Sequence, residues 1–351
     1  MNLPLHALDT AQFERAQQLL GDEWLAQDAE LAPLLPVVLA RGVGQDWHKS
    51  GTFRHHLAGV ARALTLWQQP REVRLLGLLH SVYGNAFVDL VKFDASSERG
   101  ALRALVGEQA EHLIYLFCTI SRTEFTQKLQ AHATAADGTM EVAQGAQRIT
   151  LTPREVAAFA IVTMADAMEQ WSSWQDDVYS RFPYVGPMRP TSRIVSQINA
   201  WGRALQHPVL RQQLPLPPMF AQCTAELTAG HEAAAMSLYW SVIQMDQPLV
   251  EPDCAIAVLE QAVRLNPWVG EPQMVLAQLY LAAGRPQEAE RAAASAVHCY
   301  SCWGNAWDKR VQWDAWMAWA RIVRQSAQQG TWPDRLDKLN NMALRQEVAG
   351  A

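Results

Sequence analysis

The stretches Phe53–Leu64, FRHHLAGVARAL, and Leu75–Gly84, LLGLLHSVYG, decide how this chain is read, because each sets a histidine on an apolar face. In the first, Phe53, His56, Val60 and Leu64, continued by Trp67, recur at helical spacing and form one stripe, which turns His56 inward. Ser50 or Thr52 can cap this helix. Pro70 suits the first turn of the next helix, where its missing N–H is not needed, and Val73, Leu76, Gly77 and His80 then share a face. His80 also points inward.

A third inward polar residue lies further along. Thr152, Pro153 and Glu155 form a strong helix start, and Phe159, Val162, Thr163, Asp166 and Gln170 recur on one side of the helix they open. An acid among core-facing positions is costly unless it is ionically paired, hydrogen-bonded or bound to a metal.

The rest of the chain reads as helical. Asp9 with Gln12 marks a first helix, AELAPLLPVVLARGV a second before Gly42 and Gly44, and a long one is expected from Arg99 to Ile120. GTMEVAQGAQRITLT, with Gly145 near its centre, reads as a short hairpin. Pro215, Pro217 and Pro218 suggest a linker over 215–225. Beyond it Ala255, Leu259, Ala262 and Pro267 recur thirty-four residues later as Ala289, Ala293, Ala296 and Ser301, the period of a tetratricopeptide repeat. The expected fold is all-α, with a helical bundle over 1–214 and a tetratricopeptide-like domain over 226–351.

A chain of 351 residues is long enough for two domains, and 49% apolar residues supply their cores. A net charge of -6 with no basic stripe argues against a nucleic-acid or membrane-surface partner. Without a leader-like amino terminus or a long apolar run, a cytoplasmic protein is expected, and five scattered cysteines fit a reducing compartment. Cys299 and Cys302 form a single CxxC, a weak signal for zinc or redox chemistry. The five tryptophans from Trp303 to Trp319 could line a peptide groove, but their spacing better describes core packing.

The order of a histidine, then a second histidine on the next helix, then a distant aspartate resembles the metal site of HD domains, which are all-helical and carry a histidine-aspartate pair on that second helix. The resemblance covers roughly residues 48 to 180. It maps the metal ligands to His56, His80 and Asp166, with Ser81 standing where the pair's aspartate belongs. The runs HLAGV and GLLHSVYG are closer still to a group of bacterial and plant HD-like domains in which HS replaces HD. A neutral serine is a poor ligand, which leaves two imidazoles and one carboxylate, a set suited to one divalent Fe, Zn or Mn ion. His48 and His112 are possible additional ligands, and Lys49, Tyr83 and Arg122 are candidate contacts to a small-molecule substrate. His55 lies off the stripe. The resemblance implies a metal-dependent, phosphohydrolase-like enzyme acting on a small metabolite. An iron oxygenase, or a non-catalytic adaptor that binds a protein through its repeats, stands as the alternative.

Overall fold

Helices make up nearly all the regular structure in the computed structural model, with two short antiparallel hairpins between them. The structure describes residues 3–21, 23–48, 51–84, 90–170, 194–222, 225–245, 248–249, 252–309 and 311–332. Lys49 lies outside them. The chain forms two compact units. One comprises Leu19–Gln170 with Gln197–Ala221, and the other Met1–Gln18, Trp171–Ser196 and Gln222–Ala351.

Helix α1 (Thr10–Gln18) is capped by Asp9, whose carboxylate accepts the Gln12 N–H at 3.0 Å. It groups with the second unit. There the His6 N–H donates to Ser295 Oγ at 2.8 Å, and the Gln12 amide to the Ser301 carbonyl at 2.9 Å.

The first unit begins with α2 (Trp24–Gln27), α3 (Leu35–Ala40) and the two-residue strands β1 (Trp47–His48) and β2 (Gly51–Thr52). Helix α4 (Phe53–Leu66) starts in a capping box: Thr52 Oγ1 accepts the His55 N–H, and His55 Nδ1 accepts the Thr52 N–H, both at 3.4 Å. That box occupies His55 and leaves His56 to face the core. Helix α5 (Arg71–Leu79) packs on α4 where Gly77 meets Leu64. A Cβ at residue 77 would lie 2.1 Å from Leu64 Cδ1, so glycine is what permits this approach.

The long helix expected from Arg99 is two, α6 (Arg99–Val106) and α7 (Glu108–Thr119), because Gly107 takes a φ of 90° and ends the first. Helix α8 (Arg122–Gln130) precedes the expected hairpin of β3 (Met140–Gln144) and β4 (Gln147–Leu151), in which Met140 pairs with Leu151. Helix α9 (Pro153–Gln170) is buried at every residue from Val156 to Ala165, the pattern of a central helix, and packs on both α4 and α5. Helices α10 (Ile194–Ala204) and α11 (Met219–Gln222) come next. Between them the Pro215 carbonyl accepts from the Gln69 amide at 2.8 Å, so the proline-rich stretch is tied to the first unit at its start.

In the second unit α12 (Ala229–Ile243), α13 (Pro252–Leu265), α14 (Glu271–Ala282), α15 (Pro286–Trp303) and α16 (Trp313–Gln329) each pack on the next. The repeat positions Ala255, Leu259, Ala262, Ala289, Ala293 and Ala296 are all buried, and the small side chains of the five alanines let the helices close together. Trp303, Trp307, Trp313, Trp316 and Trp319 are buried as well, which removes them from any open peptide groove.

Glu271 and Asp308 are both buried in this unit. Glu271 Oε1 accepts the Trp307 N–H at 2.6 Å and the Asp308 N–H at 3.2 Å, while the Tyr239 hydroxyl donates to Asp308 Oδ2 at 2.7 Å. Burial first, and then the charge of Asp308, push the Glu271 carboxyl up from 4.5 to about 8, against these peptide donors. An acid kept neutral in the fold but ionised in the unfolded chain favours unfolding as pH rises. Its contribution is intact below 4.5 and is lost progressively up to about 8. Thermal unfolding at about pH 5 and about pH 8 should therefore show a lower midpoint at the higher pH. Glu271→Gln, which keeps an acceptor without the charge, should remove most of that difference.

Candidate metal centre

Helices α4, α5 and α9 bring three polar groups to one buried point of the first unit. His56 comes from the first turn of α4, His80 is the C-cap residue of α5, and Asp166 lies one turn from the end of α9. His56 Nε2 and His80 Nε2 are 3.2 Å apart, and Asp166 Oδ1 is 3.4 Å from the first and 3.8 Å from the second. Donors about 2.1 Å from one ion lie roughly 3.0–3.4 Å from each other in octahedral or tetrahedral geometry. The triad nearly has that spacing, and among the described residues it is the one His, Cys, Asp and Glu cluster with metal-holding separations.

Hydrogen bonding places a proton on the outer nitrogen of each ring. His80 Nδ1 lies 2.8 Å from the Gly77 carbonyl, which can only accept, so Nδ1 is protonated and Nε2 presents its lone pair. His56 Nδ1 likewise meets the Glu169 carboxylate, which orients its Nε2 in the same way. The two Nε2 atoms then face each other at hydrogen-bond distance in a buried space, an arrangement that needs a cation or a proton between them. Burial, ahead of the charges around it, lowers His80 to about 4, which keeps the ring neutral. Burial alone would raise the Asp166 carboxyl, but positive charge on the imidazole pair, together with Arg122, outweighs it and holds the group below the ordinary carboxylate range.

Arg122 is beside the centre. Its guanidinium reaches Asp166 Oδ2 at 3.1 Å and lies 3.8 Å over the Phe117 ring, so it steadies the carboxylate oxygen turned away from the imidazoles. His48 stacks on His56 with ring centroids 4.3 Å apart, and Ser81 is buried next to His80. Two other candidates are engaged elsewhere. The Tyr83 hydroxyl donates to Glu111 at 3.0 Å, in a group that includes Arg99 and Arg103, and His112 pairs with Glu155 at 2.9 Å on the surface. Neither reaches the triad, because each already satisfies a neighbouring carboxylate.

Sequence reasoning passes over Glu169 and Gly59. Glu169 stands three residues after Asp166, so helical spacing alone puts it on the same face. Gly59 stands one turn after His56, and a Cβ there would lie 2.7 Å from Glu169 Cγ.

Residues 37–122 match the family model of a domain of unknown function (DUF6817), and residues 251–299 match a tetratricopeptide repeat. No curated protein and no solved structure matches the chain. The first match includes His56, His80 and Ser81 and stops before Asp166.

Because Gly77 both admits Leu64 and supplies the carbonyl that orients His80, Gly77→Ala should disturb stability and site together. Denaturant unfolding should show a loss of about 1–3 kcal/mol, the usual effect of overpacking a tight contact.

Proposed function

We propose that the first unit binds one divalent metal ion through His56, His80 and Asp166 and acts as a phosphohydrolase-like enzyme on a small metabolite. One observation carries the reading: three donor atoms of the right kinds stand 3.2 to 3.8 Å apart, and both imidazoles turn their Nε2 atoms to the same point. Two histidines and a carboxylate form a donor set suited to zinc, manganese or iron. The order of these residues along the chain, with the α-helical setting, supports kinship with HD domains. Ser81 occupies the position of the second aspartate in that kinship, and as a neutral group it favours one ion over a bridged pair.

When bound, the ion would polarise a substrate oxygen and lower the pKa of water. The chain's own groups have separate tasks. Gly77 and Glu169 hold the two rings in register, and Arg122 keeps Asp166 ionised and pointed at the centre. The buried guanidinium also adds positive charge beside an anionic substrate.

Iron would make the same donor set that of an oxygenase, so the metal decides the chemistry. The tetratricopeptide match supports a protein partner for the second unit, since helical repeats present extended binding surfaces. Among the described residues no helix is long and apolar enough to cross a membrane.

Elemental analysis of protein purified without added metal tests the proposal. Stoichiometric zinc or manganese fits the hydrolase, stoichiometric iron redirects it to the oxygenase, and a stable metal-free protein leaves the repeat-borne adaptor. His80→Ala should lose the metal, and retention of full content would remove His80 from the site. Ser81→Asp should restore an anionic donor and tighten zinc binding in titration calorimetry, with circular dichroism confirming the fold.

A further inference from the structure

We infer that Glu169 is the positioning residue of the centre, and that Gly59 exists in α4 to let it reach His56. The inference rests on the metal-binding reading and assigns a residue outside its ligand set.

Glu169 sits one turn beyond Asp166 on α9, so a single helix delivers both a prospective ligand and the carboxylate behind another ligand. The two imidazoles are anchored differently. His80 donates its Nδ1–H to the neutral Gly77 carbonyl, whereas His56 donates to a carboxylate. An imidazole can carry its proton on either nitrogen, and an anionic acceptor at Nδ1 both selects the tautomer with an open Nε2 and raises the basicity of the ring. His56 is thereby the stronger donor of the pair. Its Nε2 is also the atom nearest both partners, at 3.2 Å from His80 and 3.4 Å from Asp166.

The contact depends on a gap in α4. A Cβ at residue 59 would stand 2.7 Å from Glu169 Cγ, 3.3 Å from Oε1 and 3.4 Å from Cδ, against the whole length of the side chain. Glycine inside a helix lowers its stability by roughly 1 kcal/mol relative to alanine. Keeping it here makes sense where the space is needed by another group.

The two residues make a paired test, because Gly59→Ala improves helix propensity while displacing Glu169. Zinc titration calorimetry on the full chain would compare wild type with Glu169→Ala, Glu169→Gln, Gly59→Ala and the double variant Gly59→Ala/Glu169→Ala. Glu169→Ala should weaken zinc binding by about 10- to 100-fold, the usual effect of losing a partner behind a metal-bound histidine. Glu169→Gln, which retains an acceptor without charge, should fall between. Gly59→Ala should weaken binding without lowering the thermal midpoint, and it should add nothing once Glu169 is alanine. Wild-type affinity in Glu169→Ala, or losses that multiply in the double variant, would overturn the assignment.

Nitrogen-15 NMR of the His56 ring in metal-free protein separates this inference from the metal reading. Should wild type take up no zinc, the metal reading fails by itself. The assignment still stands if the ring is protonated at Nδ1 in wild type and loses that preference in Glu169→Ala. An unchanged tautomer refutes it.

Discussion

Two imidazole nitrogens 3.2 Å apart inside a helical unit, with a proton or a cation needed between them, are the constraint around which the first unit is organised. Without a positive charge between them they repel, and with one they bind two helices together. The surrounding residues fix this geometry from behind. Carbonyl and carboxylate acceptors hold the outer nitrogens, Asp166 closes the third side, and Arg122 neutralises the oxygen of Asp166 that the imidazoles do not use.

That geometry is possible because the backbone comes unusually close at two places. Gly77 brings α5 against Leu64 of α4, and Gly59 leaves α4 open to Glu169 of α9. The absence of a side chain thus lets α4 approach each partner helix, α5 beside Val60 and Leu64 and α9 one turn beyond His56. The second unit reaches a similar end by other means. Buried alanines at the repeat positions draw its helices together, and the tryptophans beyond them fill the wider space, with Trp313 Nε1 donating to the Tyr300 carbonyl and Trp316 Nε1 to the Asp308 carbonyl.

Much of this is legible in the sequence where a rule depends on local spacing. The stripes containing His56 and His80, the Thr152 and Glu155 cap, the Gly145 hairpin and the thirty-four-residue period all come from periodicity or turn chemistry, and Asp166 stands out as an acid on an apolar face. What escapes depends on partners that are distant in sequence. His56 and Glu169 are 113 positions apart, so no spacing rule links them. Tyr83 and His112 have suitable chemistry, yet Glu111 and Glu155 claim them. The amino-terminal segment finds Ser295 and Ser301 at a separation of 289 residues, which capping signals cannot reveal. At Gly107 the local signal is present but ambiguous, since a glycine can pass through a helix or end it.

The uneven exposure of the centre also sets an order of events. His56 and His80 are almost sealed, at 3% and 2% exposure, while the side chains of Asp166 and Glu169 remain 16% and 22% exposed. Solvent therefore meets the centre first through its carboxylates. Such a threshold draws cations in and turns anions away. On the proposed reading, an anionic substrate would approach favourably only after a cation had settled between the imidazoles. For the proposed ion and substrate, binding would then be sequential by electrostatics, with the first arrival reversing the sign of the doorway for the second.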